Sequence, residues 1–143
     1  MRSISMIVLF LFVATAAFAQ SAMLAIQLAQ KPIATVEDAV TLFMLSTEGK
    51  SAGYAKDANT LHTKGILPKV YDPDTPCTMG LLAYMMAKHA NIKHSLMFNI
   101  FKSQRYAVFA CIAAGYLPSN AGEHSKLSGV ELLEVMGRFG GAE

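Results

Sequence analysis

The chain contains no tryptophan, only two cysteines and no long run of charge of either sign. Its 12 basic side chains are nearly balanced by 10 acidic ones, and they are not clustered as a nucleic-acid-binding surface requires. No Cys-x-x-Cys pair, no zinc-spaced histidines and no His-Glu-x-x-His motif occur. We therefore predict no nucleic-acid partner, no metal, no cofactor and no catalytic residue.

Residues 1–19 have the anatomy of a secretory signal peptide. Arg2 precedes an apolar run from residue 6 to 13, and the stretch ends in the small-x-small pattern Ala17-Phe18-Ala19. The run is shorter than the roughly 20 residues that a membrane-spanning helix needs. We therefore expect cleavage before Gln20 and an exported chain, periplasmic or extracellular, without a transmembrane anchor.

The two cysteines, Cys77 and Cys111, leave two alternatives open. An oxidising compartment outside the cytoplasm permits a disulfide between them. Both also lie in apolar patterns, and free cysteine is among the most buried residue types. The sequence does not decide between a bridge and two buried thiols.

An internal duplication is the main organising signal. The motif GILP at 65–68 recurs as GYLP at 115–118, an offset of 50 residues. The same offset places Thr78 on Ser128, Leu82 on Leu132 and Met86 on Met136. Because these matches fall where a helix would need them, we predict a repeated helix-loop-helix unit.

Each unit has a predicted helix end and a predicted helix start. Gly65 and Gly115 suit the left-handed position that closes a helix. Thr78 and Ser128 are the N-cap candidates of the following helix, and Glu131 completes a capping box in the second unit. The spacing predicts inward faces formed by Met79, Leu82, Ala83 and Met86 in one unit and by Gly129, Leu132, Leu133 and Met136 in the other.

A weaker third copy precedes these two. Thr35 is its predicted N-cap, with Val36, Ala39, Val40 and Phe43 facing inward. A short helix capped by Ser95 is predicted between the clear units. The predicted fold class is all-α. We expect an N-terminal linker at 20–34, followed by one helical domain over 35–143. The parts of this domain are a degenerate unit at 35–53, a unit at 54–90, a linker helix at 91–102 and a unit at 103–140.

The first clear unit resembles the S-layer homology (SLH) repeat. The similarity is strongest from Ala58 to Met86, where a helix, a Gly-Ile pair and the loop YDPDTPCT at 71–78 follow the family's order. The resemblance implies a helical envelope module whose repeats, often in threes, attach to cell-wall polysaccharide. Met79 and Gly129 stand where the family's Thr-Arg-Ala-Glu helix start has arginine, a residue that carries much of the glycan contact.

The resemblance and the helix periodicity together nominate binding residues. Within a unit, an aromatic is expected near the head of the first helix, and an acidic aromatic loop joins it to the second. Tyr84 and Met85 lie off the predicted inward face, as a partner surface would. The candidates are Tyr54, Tyr71, Asp72, Asp74, Tyr84, Met85 and Glu131.

The aspartates of the 71–78 loop also have a simpler interpretation. Calcium would need more oxygen ligands and a distal bidentate glutamate, which do not follow Asp72 and Asp74. A turn in which the Asp side chains bond the local backbone fits better.

The sequence therefore favours a non-enzymatic exported module that tethers or scaffolds within the cell envelope. Its expected partner is cell-wall polysaccharide or another envelope protein. Two alternatives remain: a small exported enzyme or ligand carrier with a site between the units, or a subunit of a larger oligomer. The oligomer interface would use Tyr84 and Met85, or the segment 96–101.

Overall fold

The structure, a computed structural model, describes residues 20–142. This part of the chain is helical and contains no strand, which confirms the all-α prediction. The helices are α1 (residues 20–29 of the described part), α2 (Val36–Glu48), α3 (Tyr54–Thr63), α4 (Met79–His89), α5 (Leu96–Phe101), α6 (Gln104–Ala113) and α7 (Gly129–Gly141). Among the described residues, no helix has the length and apolar character needed to cross a membrane. The predicted signal peptide, residues 1–19, lies outside the described residues.

The segment 20–34 is not the linker that the sequence predicted. Residues 20–29 form α1, and Leu28 is buried in the core. Leu24, one helical turn earlier, packs against the same core. The pair forms a short apolar face, which a prediction built on the signal-peptide boundary overlooked.

The three predicted N-caps are confirmed. Thr35, Thr78 and Ser128 have extended backbones, and each side chain accepts a hydrogen bond from the N–H three residues on, at 3.2–3.3 Å. In α2 and α7 the third helical residue, Asp38 or Glu131, returns a bond to the cap backbone and completes a capping box. The cap residues therefore define where α2, α4 and α7 begin.

Local signals elsewhere in the chain are also confirmed. Gly65 and Gly115 take the left-handed conformation, with φ of 72° and 83°, just after α3 and α6. Ser95 accepts from the Phe98 N–H at 3.3 Å and caps α5. These positions depend on residues near in sequence, so the pattern was sufficient to locate them.

The residues preceding the three caps form a closed ring of backbone hydrogen bonds. The Ala34 N–H donates to the Leu127 carbonyl at 2.8 Å, and the Leu127 N–H donates to the Cys77 carbonyl at 3.0 Å. The Cys77 N–H then donates to the Ala34 carbonyl at 2.8 Å, which closes the cycle. All three residues are buried, so this backbone ring satisfies peptide groups that water cannot reach.

The first N–H groups of the same helices are also bonded in cyclic order. Each donates to a carbonyl in the segment that precedes another of the three helices: Val36 to Thr75 at 2.8 Å, Met79 to Ser125 at 2.8 Å and Gly129 to Lys31 at 3.0 Å. Such N–H groups have no acceptor within their own helix. The starts of α2, α4 and α7 are therefore fastened to one another.

The core confirms most of the predicted inward faces. The four residues predicted for α2 are buried, as are those for α4 and most of those for α7. In α7, Leu133 is only half-buried because Val135 and Phe139 complete the buried face.

Met85 was wrongly predicted as a surface residue, and the structure corrects this. Its side chain is fully buried. Eight of the eleven residues of α4 are buried, because α4 packs along α6 as well as facing the common core. A helix enclosed on more than one side has no single inward stripe.

Cys77 and Cys111 are free and buried, so no disulfide joins them. The Cys111 thiol donates to the Ala83 carbonyl on the neighbouring helix α4 at 3.4 Å. Both cysteines therefore act as small core residues.

Gly129 has a steric role that another glycine of the same helix lacks. A Cβ at Gly129 would lie 1.6 Å from the Leu28 carbonyl oxygen, whereas one at Gly137 would meet nothing within 4 Å. We expect Gly129→Ala to lower the free energy of unfolding by about 3 kcal/mol, because backbone must move. Gly137→Ala should instead raise it by about 0.5–1 kcal/mol. Urea unfolding of both variants measures the difference, and equal effects would contradict the close approach of α1 to α7.

The Ser128 cap is open to a direct test. Ser128→Ala should cost about 1 kcal/mol, since it leaves the Glu131 N–H without its side-chain acceptor. Ser46→Ala, at an exposed serine inside α2, is the matched control and should be nearly neutral. Thermal melts that show the same midpoint for Ser128→Ala and the wild type would remove Ser128 as the cap.

Candidate functional site

Two of the predicted binding residues meet directly. Tyr54 is the first residue of α3, and Tyr71 lies in the loop before α4. The Tyr54 hydroxyl donates to the Tyr71 backbone carbonyl at 2.5 Å. Both side chains are half-buried, so one edge of each ring stays accessible while its position is held.

Asp72 and Asp74 form the predicted turn. The Asp72 carboxylate accepts from the Asp74 N–H at 3.0 Å, and the Asp72 carbonyl accepts from Thr75 N–H at 3.1 Å. This arrangement is an Asx turn, in which a side chain takes the place of a backbone acceptor. Asp72 also lies close enough to Tyr54 for its negative charge to raise the pKa of that hydroxyl.

The ring of Tyr71 is surrounded by polar and aromatic groups. The Lys69 ammonium lies 4.9 Å from the ring centroid, a cation–π distance. Gln104, at the start of α6, and Tyr84 of α4 lie near Tyr71. We call the group Tyr54, Tyr71, Tyr84, Lys69 and Gln104 the tyrosine surface.

Tyr84 occupies the far side of this surface. Its ring meets Phe98 of α5 edge to face, with centroids 6.0 Å apart, and the Lys88 ammonium lies 5.8 Å from the centroid. Tyr84 is thus partly exposed, in contrast to its neighbour Met85. Of the predicted pair, only Tyr84 can contact a ligand.

The three tyrosines are neutral hydrogen-bonding groups at physiological pH. Burial is the main cause that raises the pKa of Tyr54, Tyr71 and Tyr84. For Tyr71 the hydrogen bond with Gln104 acts in the opposite direction. Neutral hydroxyls beside accessible ring faces suit a polyhydroxylated ligand better than they suit acid–base chemistry.

Glu131 belongs to the helix start of α7. Its carboxylate accepts from the Ser128 N–H at 2.8 Å, and the hydrogen bonds with Ser128 lower the pKa of Glu131. Its role in the structure is therefore that of a capping residue.

The helix-start positions that the predicted SLH resemblance aligns with arginine lie inside the protein. Met79 and Gly129 are the first residues of α4 and α7, and both are buried. Val36, the first residue of α2, is buried as well. A guanidinium at any of the three would have to enter the core, so the tyrosine surface cannot use the family's arginine.

Our prediction of no catalytic residue took the Gly-x-Ser-x-Gly pattern of serine hydrolases to be absent, whereas residues 49–53 fit it. That elbow needs a strand before the serine, whereas this stretch follows helix α2. The Ser51 hydroxyl donates to the buried carboxylate of Asp57 at 2.5 Å, and Asp57 also accepts from the Ala52 N–H. No histidine lines the adjacent cleft of about 360 Å³, which includes Asp57. The Ser51–Asp57 hydrogen bond closes the loop between α2 and α3.

Other reactive groups are not brought together in residues 20–142. No cluster of three His, Cys, Asp or Glu side chains is placed to hold a metal ion. Burial raises the pKa of both Cys77 and Cys111 to about 12, so neither thiol is a ready nucleophile.

Comparison of the chain with protein-family models, with curated proteins and with solved structures finds no match.

The buried thiols predict a loss of stability at alkaline pH. In the unfolded chain they lose their protons near pH 9, while in the folded protein they hold them to about pH 12. The contribution of the protonated thiols to the free energy of unfolding is thus complete below pH 9 and is lost as pH rises through 12. By pH 10.5 the loss is about 2 kcal/mol per thiol. The tyrosines, with raised pKa values, add to the loss above pH 10. Urea unfolding at pH 7.5, 9 and 10.5 measures this.

The control is Cys111→Ala. Whatever this substitution does to stability at pH 7.5, it should reduce the decline in the free energy of unfolding between pH 9 and 10.5. Stability that stays constant from pH 8 to 10.5 in the wild type would contradict the burial of the thiols.

Proposed function

We propose that the chain is a non-enzymatic, exported module of the cell envelope, built from three SLH-like units and tethered to envelope polysaccharide through the tyrosine surface. The observation that carries the proposal is the backbone ring of Ala34, Cys77 and Leu127. It joins three helix starts of one kind, each with a buried residue followed by a Ser or Thr cap. A cyclic arrangement of this type is what three equivalent units would produce.

The contacts between helices support a three-unit interpretation. The pairs α1–α2, α3–α4 and α6–α7 each consist of a helix, a connection and a capped helix. Helix α2 contacts α3, and α4 contacts α6, so each capped helix packs on the first helix of the following pair. Gly129 of α7 lies against Leu28 of α1, so the last capped helix also packs on the first helix of the first pair. This interpretation extends the first unit back to residue 20.

The tyrosine surface supports polysaccharide as the ligand. Aromatic rings present apolar faces with low entropy cost, and the tyrosine hydroxyls and Gln104 offer hydrogen bonds beside them. Lys69 adds a positive charge at Tyr71, which favours a glycan bearing acidic groups. With the arginine positions inside the core, recognition rests on Tyr71 and its neighbours.

The arrangement of these side chains supports a tethering role. They hold ring faces and neutral hydroxyls in fixed positions, and the serine, the thiols and the carboxylates described above are occupied within the fold. A site of this composition binds without transforming its ligand.

Co-sedimentation with purified, lipid-free insoluble cell-wall polysaccharide tests the proposal. We expect the wild type to be retained, Tyr71→Ala to bind about tenfold more weakly, and Tyr71→Phe to keep most of the binding because the ring remains. Tyr106→Ala, at another half-buried tyrosine outside the tyrosine surface, is the matched control. No retention of the wild type, or equal retention of Tyr71→Ala, would refute the assignment.

A further inference from the structure

The charges of this chain are segregated along the sequence. From Thr75 to Gly122 there is no aspartate or glutamate, although the chain has 10 acidic residues in total. The same stretch has four basic residues, Lys88, Lys93, Lys102 and Arg105. It contains α4, α5 and α6, so these helices together form the cationic part of an otherwise nearly neutral protein.

Helix α5 turns an apolar face outward. Leu96 and Ile100, four residues apart and therefore on one side of the helix, are 70% and 62% exposed. Met97 and Phe101 repeat this spacing beside them and are also exposed. Only Phe98 points inward, where it packs on Tyr84.

Helix α6 continues this face. Phe101 stacks on Tyr106 with ring centroids 5.3 Å apart, and Tyr106 lies 6.4 Å from Phe109, which is 53% exposed. A cleft of about 340 Å³ adjoins Phe109 and the start of α5 at Ser95. We call Leu96, Met97, Ile100, Phe101 and Phe109 the α5–α6 face.

Basic residues flank this face along the chain. Lys93 precedes α5, Lys102 follows it, and Arg105 stands in the first turn of α6; all three are exposed. Lys88 of α4 lies near Lys102, and burial together with that neighbouring positive charge lowers the pKa of Lys88. These two ammonium groups have no acidic partner within their own stretch of chain.

We propose that the α5–α6 face docks on an anionic lipid bilayer. Exposed Leu, Ile, Met and Phe side chains would enter the boundary between headgroups and acyl chains, while the surrounding Lys and Arg side chains meet the anionic headgroups. The helix pair α5 and α6 thus carries both kinds of side chain that this boundary binds: apolar residues for the acyl chains and cations for the headgroups.

The charge pattern favours a bilayer over a second copy of this chain. In a symmetric dimer through the α5–α6 face, the same surface of both copies would meet, so both sides of the interface would carry Lys93, Lys102 and Arg105. Like charges in such an interface oppose association, whereas an anionic surface neutralises them. The α5–α6 face is separate from Tyr71 and Tyr54, so this docking does not depend on glycan binding.

The absence of tryptophan allows a direct test by fluorescence. Ile100→Trp places a single probe on the α5–α6 face, and Val130→Trp places one at a 54% exposed position on α7. With phosphatidylglycerol–phosphatidylcholine vesicles we expect a blue shift and quenching by brominated acyl chains for Ile100→Trp, and neither for Val130→Trp. An unchanged Ile100→Trp spectrum would overturn the proposal. So would a blue shift that grows with protein concentration without vesicles, because it would indicate self-association.

Vesicle co-sedimentation of the full chain tests the two components separately. The double variants Leu96→Ser/Ile100→Ser and Lys93→Glu/Arg105→Glu should each bind anionic vesicles more than tenfold more weakly than the wild type. Val130→Ser and Lys56→Glu, at exposed positions elsewhere, are the matched controls and should bind as the wild type does. Every variant keeps the apolar run at 6–13, so that run cannot cause a difference. Equal binding by either double variant, or equal wild-type binding to neutral vesicles, would refute the proposal.

Discussion

The structure depends on three backbone hydrogen bonds that join Ala34, Cys77 and Leu127 in a ring. Each residue directly precedes a helix cap, so the ring determines where α2, α4 and α7 start in space. The bonds are buried, and an unmade bond there would leave a peptide group without water or protein as a partner. Side chains at these positions must be small or apolar, and Cys77 meets this requirement as a buried core residue.

The same constraint explains why the helix starts are not ligand sites. The first N–H groups of the three capped helices already donate to carbonyls of neighbouring segments. Their first side chains, Val36, Met79 and Gly129, are drawn into the core by that close approach. The loop that carries Tyr71 and the helices α5 and α6 take no part in this ring, and they present side chains at the surface.

Two surfaces then divide the exterior by chemistry. Around Tyr71 the groups are aromatic and polar, with uncharged tyrosine hydroxyls and the Lys69 ammonium 4.9 Å from the Tyr71 ring centroid. Around α5 they are aliphatic or aromatic with a cationic rim. Phe98 and Tyr84 connect the two, since their rings touch across the junction of α4 and α5. A module with both surfaces would hold polysaccharide and lipid at neighbouring positions of one rigid helical body.

The sequence by itself determined α2 to α7, four of their caps and the glycines after α3 and α6, because a cap such as Ser128 bonds only three residues away. It also predicted the Asx turn at Asp72, which bonds within its own segment, whereas the contact of Tyr54 with Tyr71 joins residues 17 apart and came from the tertiary structure. Only the tertiary structure decided that Ala34, Cys77 and Leu127 meet, that residues 20–29 pack as a helix, and that Met85 is enclosed. Those outcomes rest on contacts between segments far apart in the chain, and helical periodicity describes one helix without specifying how many neighbours will cover it.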